Sequence, residues 1–202
     1  MKKRTIALLM AVVMLFGVTV GGTIAWLKAE TGSVVNTFSV GDINIELKEH
    51  DYDPESKKLL EGIEHEVTEE DDYKIIPGTD LLKDPFVRII DESEECWVFV
   101  RVTPDKWPTS NVTYTIDSTW TALKGVPDVY WQKVESLVGG EVKNEELNIL
   151  AGQKIEVTNE LTKEQIETIK AVGNPTLTFT AYAVQAENFD TAEAAWAATF
   201  GE

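Results

Sequence analysis

The sequence predicts an all-β fold, an antiparallel β-sandwich with two short helices, and three observations carry that prediction. About seven segments show period-two alternation or a short continuous apolar run. Pro, Gly, Asn and Asp turns separate them. The chain is also long enough for one domain with a real core: without residues 1–25, 177 of its 202 residues remain.

In "TFSVGDINIEL" (37–47), Phe38 and Val40 share one face, and Ile43, Ile45 and Leu47 share the face after a one-residue phase change at Gly41-Asp42. A slip at glycine predicts a β-bulge. "PFVRII" (85–90) and "CWVFVRVT" (96–103) follow. The second is apolar on both faces, as a central strand should be. "NVTYTI" (111–116), "VYWQKV" (129–134), "KIEVTNEL" (154–161) and "TLTFTAYAVQA" (176–186) complete the set. One helix is expected over 163–172, opened by the capping box Thr162/Gln165 and closed by Gly173 and Pro175. A second is expected from Asp190, capped with Glu193, to Gly201, with Trp196 and Phe200 four residues apart on one stripe. Residues 49–74 read as an acidic, solvated insertion with a short helical turn near 54–60.

Residues 1–25 have the three parts of a secretory signal: basic Met1-Lys2-Lys3-Arg4, an apolar run from Ile6 to Val20, and small residues ending in Thr23-Ile24-Ala25. Cleavage is expected after Ala25, between Thr23/Ala25 and Trp26, leaving one secreted domain over 26–202. Membrane attachment would come only through an uncleaved signal segment. Removing Lys2, Lys3 and Arg4 takes the net charge from −17 to −20. A surface that acidic repels phosphate backbones, which excludes nucleic acid as a partner. The lone Cys96 forms no internal disulfide, and "CWVFVRV" predicts a buried core thiol.

No catalytic set is legible, so the chain is expected not to be an enzyme and to carry no cofactor. His50 and His65 are its only histidines and form no H-E-x-x-H pair. His65 between Glu64 and Glu66 reads as a solvated side chain, and no metal is expected. Asp51, Asp53 and Glu55 alternate as calcium ligands can, without the EF-hand glycine and terminal glutamate. Ser/His/Asp sets are spatial and stay open, although no G-x-S-x-G, P-loop or G-x-G-x-x-G occurs. Asn111-Val112-Thr113 matches a glycosylation acceptor. Of the six tryptophans, Trp107, Trp120 and Trp131 fall in loop-rich or strand-edge settings, and packing is the default for each over sugar stacking.

"GGTIAW" followed by "NTFSVGDINIELKE" resembles the start of the TasA, CalY and camelysin family of Gram-positive bacteria, whose precursors are processed by the signal peptidase SipW. The matching positions are Gly21, Gly22, Thr23, Ala25, Phe38, Gly41, Ile43 and Ile45. "IIPGTDLLKDPFVRI" is similar to the family's Pro-Gly segment before a strand, at Pro77, Gly78, Lys83 and Phe86, and "TAYAVQAENFDTAEAAWAATFG" looks like the ending of clostridial relatives. The likeness covers the signal and about half of the mature chain, while 104–175 is matched only in strand pattern.

The resemblance implies a jelly-roll-like sandwich, exported to the cell surface or extracellular matrix, which builds biofilm fibres as a homopolymer. There the mature N-terminal segment, residues 26–37 with Trp26, Leu27, Val34 and Val35 as pocket fillers, would be the donor strand completing the next subunit's sheet. It also implies a SipW-type signal peptidase as processing partner. The alternatives are a monomeric surface-binding or adhesion module and a secreted camelysin-type metallopeptidase, the latter without a zinc motif here. The chain ends at Gly201-Glu202 with no LPxTG-type tail, which argues against covalent wall sorting.

Overall fold

The computed structural model describes residues 28–31, 43–53, 55–56, 58–60, 62–68, 73–90, 93–137 and 145–201. Its strands are β1 (Lys28–Thr31), β2 (Ile45–His50), β3 (Tyr52–Asp53), β4 (Lys58–Leu59), β5 (Glu66–Val67), β6 (Asp80–Leu82) and β7 (Phe86–Ile89). They continue with β8 (Cys96–Asp105), β9 (Val112–Ile116), β10 (Thr121–Ala122), β11 (Val129–Val134), β12 (Glu145–Asn148), β13 (Leu150–Val157) and β14 (Thr176–Gln185). The helices are α1 (Lys163–Val172) and α2 (Ala192–Phe200), with a 3-10 turn at Ile63–His65. The fold is all-β, and among the described residues every strand pair is antiparallel.

The longest sheet has the order β1-β14-β8-β11-β10, and it is faced by a four-stranded sheet β12-β7-β2-β5 and a three-stranded sheet β6-β13-β9. One apolar cluster joins all three: Val98, Val100 and Val102 of β8, Ala181 and Ala183 of β14, Ile45 of β2, Val87 and Ile89 of β7, and Ile155 and Val157 of β13. The sheets therefore share a core in the manner of a sandwich. The doubly apolar "CWVFVRV" has its physical reason here. β8 is the middle strand of the long sheet, with Val98, Val100 and Val102 in the shared core. Its alternate residues Trp97 and Phe99 lie in a second cluster with Trp196 of α2 on the opposite face.

Trp196 is 2% exposed and packs edge-on against Phe99 at 5.1 Å and Tyr182 at 5.4 Å, with Phe200 at 4.6 Å. The i, i+4 spacing of Trp196 and Phe200 therefore does what a helical stripe should. The cap of α2 is Thr191, whose hydroxyl accepts from the Ala194 amide, rather than Asp190. The hydroxyl one residue later satisfies the orphan amide one residue further on. α1 opens with both bonds of the expected Thr162/Gln165 capping box and stops at Gly173.

Several expectations move. The strand expected at 154–161 begins at Leu150 and ends at Val157, because Thr158–Glu160 turns away. β1, β6, β10 and β12 were not expected. The phase change at Gly41-Asp42, and Phe38 and Val40 with it, fall outside the described residues. The insertion is not simply a solvated loop. β3 and β4 form a small hairpin, β5 pairs with β2, and in place of a helical turn near 54–60 there is a turn in which Asp53 accepts from the Glu55 and Ser56 amides. Asn111, the acceptor of the glycosylation-like triplet, is 8% exposed and so buried against the sandwich, although Thr113 is exposed.

Candidate functional site

β1 forms one edge of the long sheet. Lys28, Ala29, Glu30 and Thr31 stand opposite Val184, Ala183, Tyr182 and Ala181 of β14. Every residue of β14 pairs with β8 on its other side, from Thr176 to Gln185. β1 thus covers four of the ten residues on the outer edge of β14. A backbone hydrogen bond contributes a net of roughly 0.5–1.5 kcal/mol, so a ladder this short is held weakly beside the ten-residue β8–β14 pairing. Trp26, Leu27, Val34 and Val35, and the expected cleavage positions Thr23 and Ala25, lie outside the described residues. What the structure places is the segment between them, at a sheet edge.

The second feature is a charged layer on the outer face of the four-stranded sheet. Cross-strand register explains its composition. Arg88 of β7 is aligned with Glu46 of β2 and with Glu146 of β12, while His50 of β2 is aligned with Glu66 of β5. Side chains alternate along a strand, so these residues share the face opposite Ile45, Val87 and Ile89.

Arg88 is the hub. Its Nη1 and Nη2 donate to Glu66 Oε2 and Oε1 at 2.7 and 2.5 Å, and Nη2 also donates to Glu146 Oε1 at 2.7 Å. Glu46 is 3.9 Å away. The hydrogen bonds from Arg88 hold the Glu66 carboxyl below its usual range, and Glu66 in turn raises the Arg88 value. Beneath them Phe86 is fully buried although it faces outward, roofed by the Arg88 guanidinium at 5.1 Å and the His50 ring at 5.1 Å.

His50 is fixed in turn by Asp84. The His50 amide donates to Asp84 Oδ1 at 3.0 Å, and Nδ1 lies 2.7 Å from Oδ2. Burial pushes the Asp84 carboxyl up, against the lowering effect of its bonds to His50. Nearby, Lys83 Nζ donates to Glu49 Oε2 at 2.6 Å, and both side chains are about nine-tenths buried. A cavity of about 870 Å³ opens beside this pair, walled by Leu47, Ile75, Leu81, Trp107, Ile166 and Phe179.

Comparison with family models, curated proteins and solved structures finds no match to this chain. The likeness to the TasA, CalY and camelysin family therefore rests on the quoted motifs.

The two histidines part company. His65 is half-buried, its side chain 3.9 Å from Glu64, whereas His50 is packed and bonded to Asp84. Asp53 and Asp51 spend carboxylate oxygens on local amides of the hairpin, at Glu55 and Ser56 and at Tyr52. The tryptophans pack. Trp107 Nε1 donates to the Val112 carbonyl, Trp120 Nε1 donates to the Asn148 carbonyl, and Trp131 meets Trp97 edge-on at 5.2 Å. Cys96 is fully buried, and burial pushes its thiol up to about 12. Sequence reasoning missed Arg88, Glu66 and Asp84. One signal was present in the arginine inside the otherwise apolar "FVRII", since a buried guanidinium requires carboxylate partners.

Proposed function

We propose that this chain is an exported structural subunit of an extracellular or cell-surface fibre, with a jelly-roll-like sandwich, assembling by exchange of its N-terminal β-strand. The observation that carries the reading is the position of β1, a four-residue strand on the edge of β14 that begins two residues beyond the expected cleavage point. A strand paired in cis to an edge can be replaced by the identical strand of another copy with the same ladder. Export frees the segment in front of it, and the acidic surface keeps single subunits apart until screening or concentration brings them together. In this reading Trp26, Leu27, Val34 and Val35 flank the exchanged ladder and supply the side chains that set register.

The closed alternative is a monomeric surface module in which β1 stays on its own β14. Electron microscopy of the processed chain, with and without residues 26–35, separates the two. The subunit reading expects filaments from the intact chain and folded, non-elongating monomers from the truncated one. Filaments of unchanged form from the truncated chain would refute strand exchange. Monomers from the intact chain at every concentration and salt would favour the surface module.

A further inference from the structure

We propose that His50, Glu66 and Glu146 form a binding site for one divalent transition-metal ion of the zinc type. Strands β2, β5 and β12 bring these three residues together, and one ligand atom from each lies within 4.8 Å of the others. Their positions in the chain are far apart, so linear spacing shows no motif. The sequence predicts no metal because it holds no H-E-x-x-H pair and because His65 with its flanking glutamates makes no closed ligand set.

Two features make the set more than a group of carboxylates. First, His50 Nδ1 is committed to Asp84 at 2.7 Å. With Nδ1 engaged by the Asp84 carboxyl, Nε2 is the ring nitrogen left to bind an ion. A histidine held by a carboxylate in this way is oriented and made more basic as a ligand. Second, the charge balance is open. Four carboxyl groups, Glu46, Glu66, Asp84 and Glu146, face only two basic side chains, Arg88 and Lys48, which leaves room for a further cation.

Arg88 is the resident cation and the competitor. It engages Glu146 through Oε1 and Glu66 through both oxygens. Carboxylate oxygens accept more than one partner, so Glu66 and Glu146 bind the ion through their remaining lone pairs while keeping Arg88. Zinc ligands stand about 2.1 Å from the ion and hence roughly 3.4 Å from each other, so atoms up to 4.8 Å apart need to close by up to about 1.4 Å. One imidazole and two carboxylates suit zinc, with cobalt as a spectroscopic substitute. The ion ties β5 and β12 across β2 and β7, which fastens the acidic insertion to the sandwich.

The test is calorimetric titration of the purified, chelator-treated chain with Zn²⁺, repeated with Co²⁺ followed by visible absorption. The site predicts one saturable ion per chain. His50→Gln and Glu146→Gln should each weaken binding by about tenfold or more, and His65→Ala should leave it unchanged. Glu146 is on the exposed side of β12, so its variant decides the matter alone if His50→Gln proves unstable. Absence of saturable binding in the unmodified chain overturns the site, and so does binding that Glu146→Gln leaves intact.

Discussion

Arg88 and Glu66 form a two-pronged ion pair, with Nη1 to Oε2 at 2.7 Å and Nη2 to Oε1 at 2.5 Å, between side chains 7% and 4% exposed. A pair this buried contributes little over an apolar equivalent, but removing one partner strands the other charge. Arg88→Met should therefore destabilise the chain by about 3–5 kcal/mol. Urea unfolding of variant and parent would measure it, and a loss below about 1 kcal/mol would mean that Glu66 finds water once Arg88 is gone.

The same pair sets an acid limb of stability. Because the folded Glu66 carboxyl is lowered from its ordinary value of about 4.5, its contribution is complete above that value and is lost as pH falls through the folded one. Glu66→Gln should lower stability at pH 7 and flatten its pH dependence below about pH 4.5. Parallel pH profiles for the parent and Glu66→Gln would show that Glu66 has no part in the acid limb.

Trp196, stacked with Phe200 of the same helix, fastens α2 to the outer face of β8 and β14 through Phe99 and Tyr182. Trp196→Ala should cost about 3–5 kcal/mol. Near-ultraviolet circular dichroism and thermal unfolding would report the loss. An unchanged midpoint would detach α2 from the cooperative core.

Cys96 is fully buried and its thiol is pushed up to about 12. A thiol reagent at pH 8 should leave it unmodified in the folded chain and label it completely in denaturant. Fast labelling under native conditions would place it at a surface.

Much of the sandwich was legible because burial on two faces leaves a mark. "CWVFVRV" is apolar at every strand position that touches one of two clusters, and only Arg101 breaks it. The α1 capping box was equally readable, since Thr162 and Gln165 satisfy each other's amides within one turn. β12 was not. In "EELN" Leu147 is the one apolar residue directed at the core, and pairing with β7 rather than propensity makes it a strand. β1 likewise carries no pattern in "KAET" and owes its state to β14. The charged layer was invisible for a third reason. His50 and Glu66 are sixteen positions apart and Glu146 is eighty further on, and only register across four strands makes them neighbours.

The central claim, exchange of β1 between copies, is tested most directly by trapping its ladder. Ala29 and Ala183 are directly paired, and opposed residues of antiparallel strands have Cα atoms about 4.5–5.5 Å apart, within disulfide range. Chains carrying Ala29→Cys alone and chains carrying Ala183→Cys alone would be processed, mixed under assembly conditions and oxidised, with Cys96 buried and inert. Strand exchange predicts a disulfide-linked heterodimer that joins position 29 of one chain to position 183 of the other. If the double variant closes its bridge only within a single chain, and the mixture yields no heterodimer at any concentration or salt, β1 stays on its own sheet and the account is wrong.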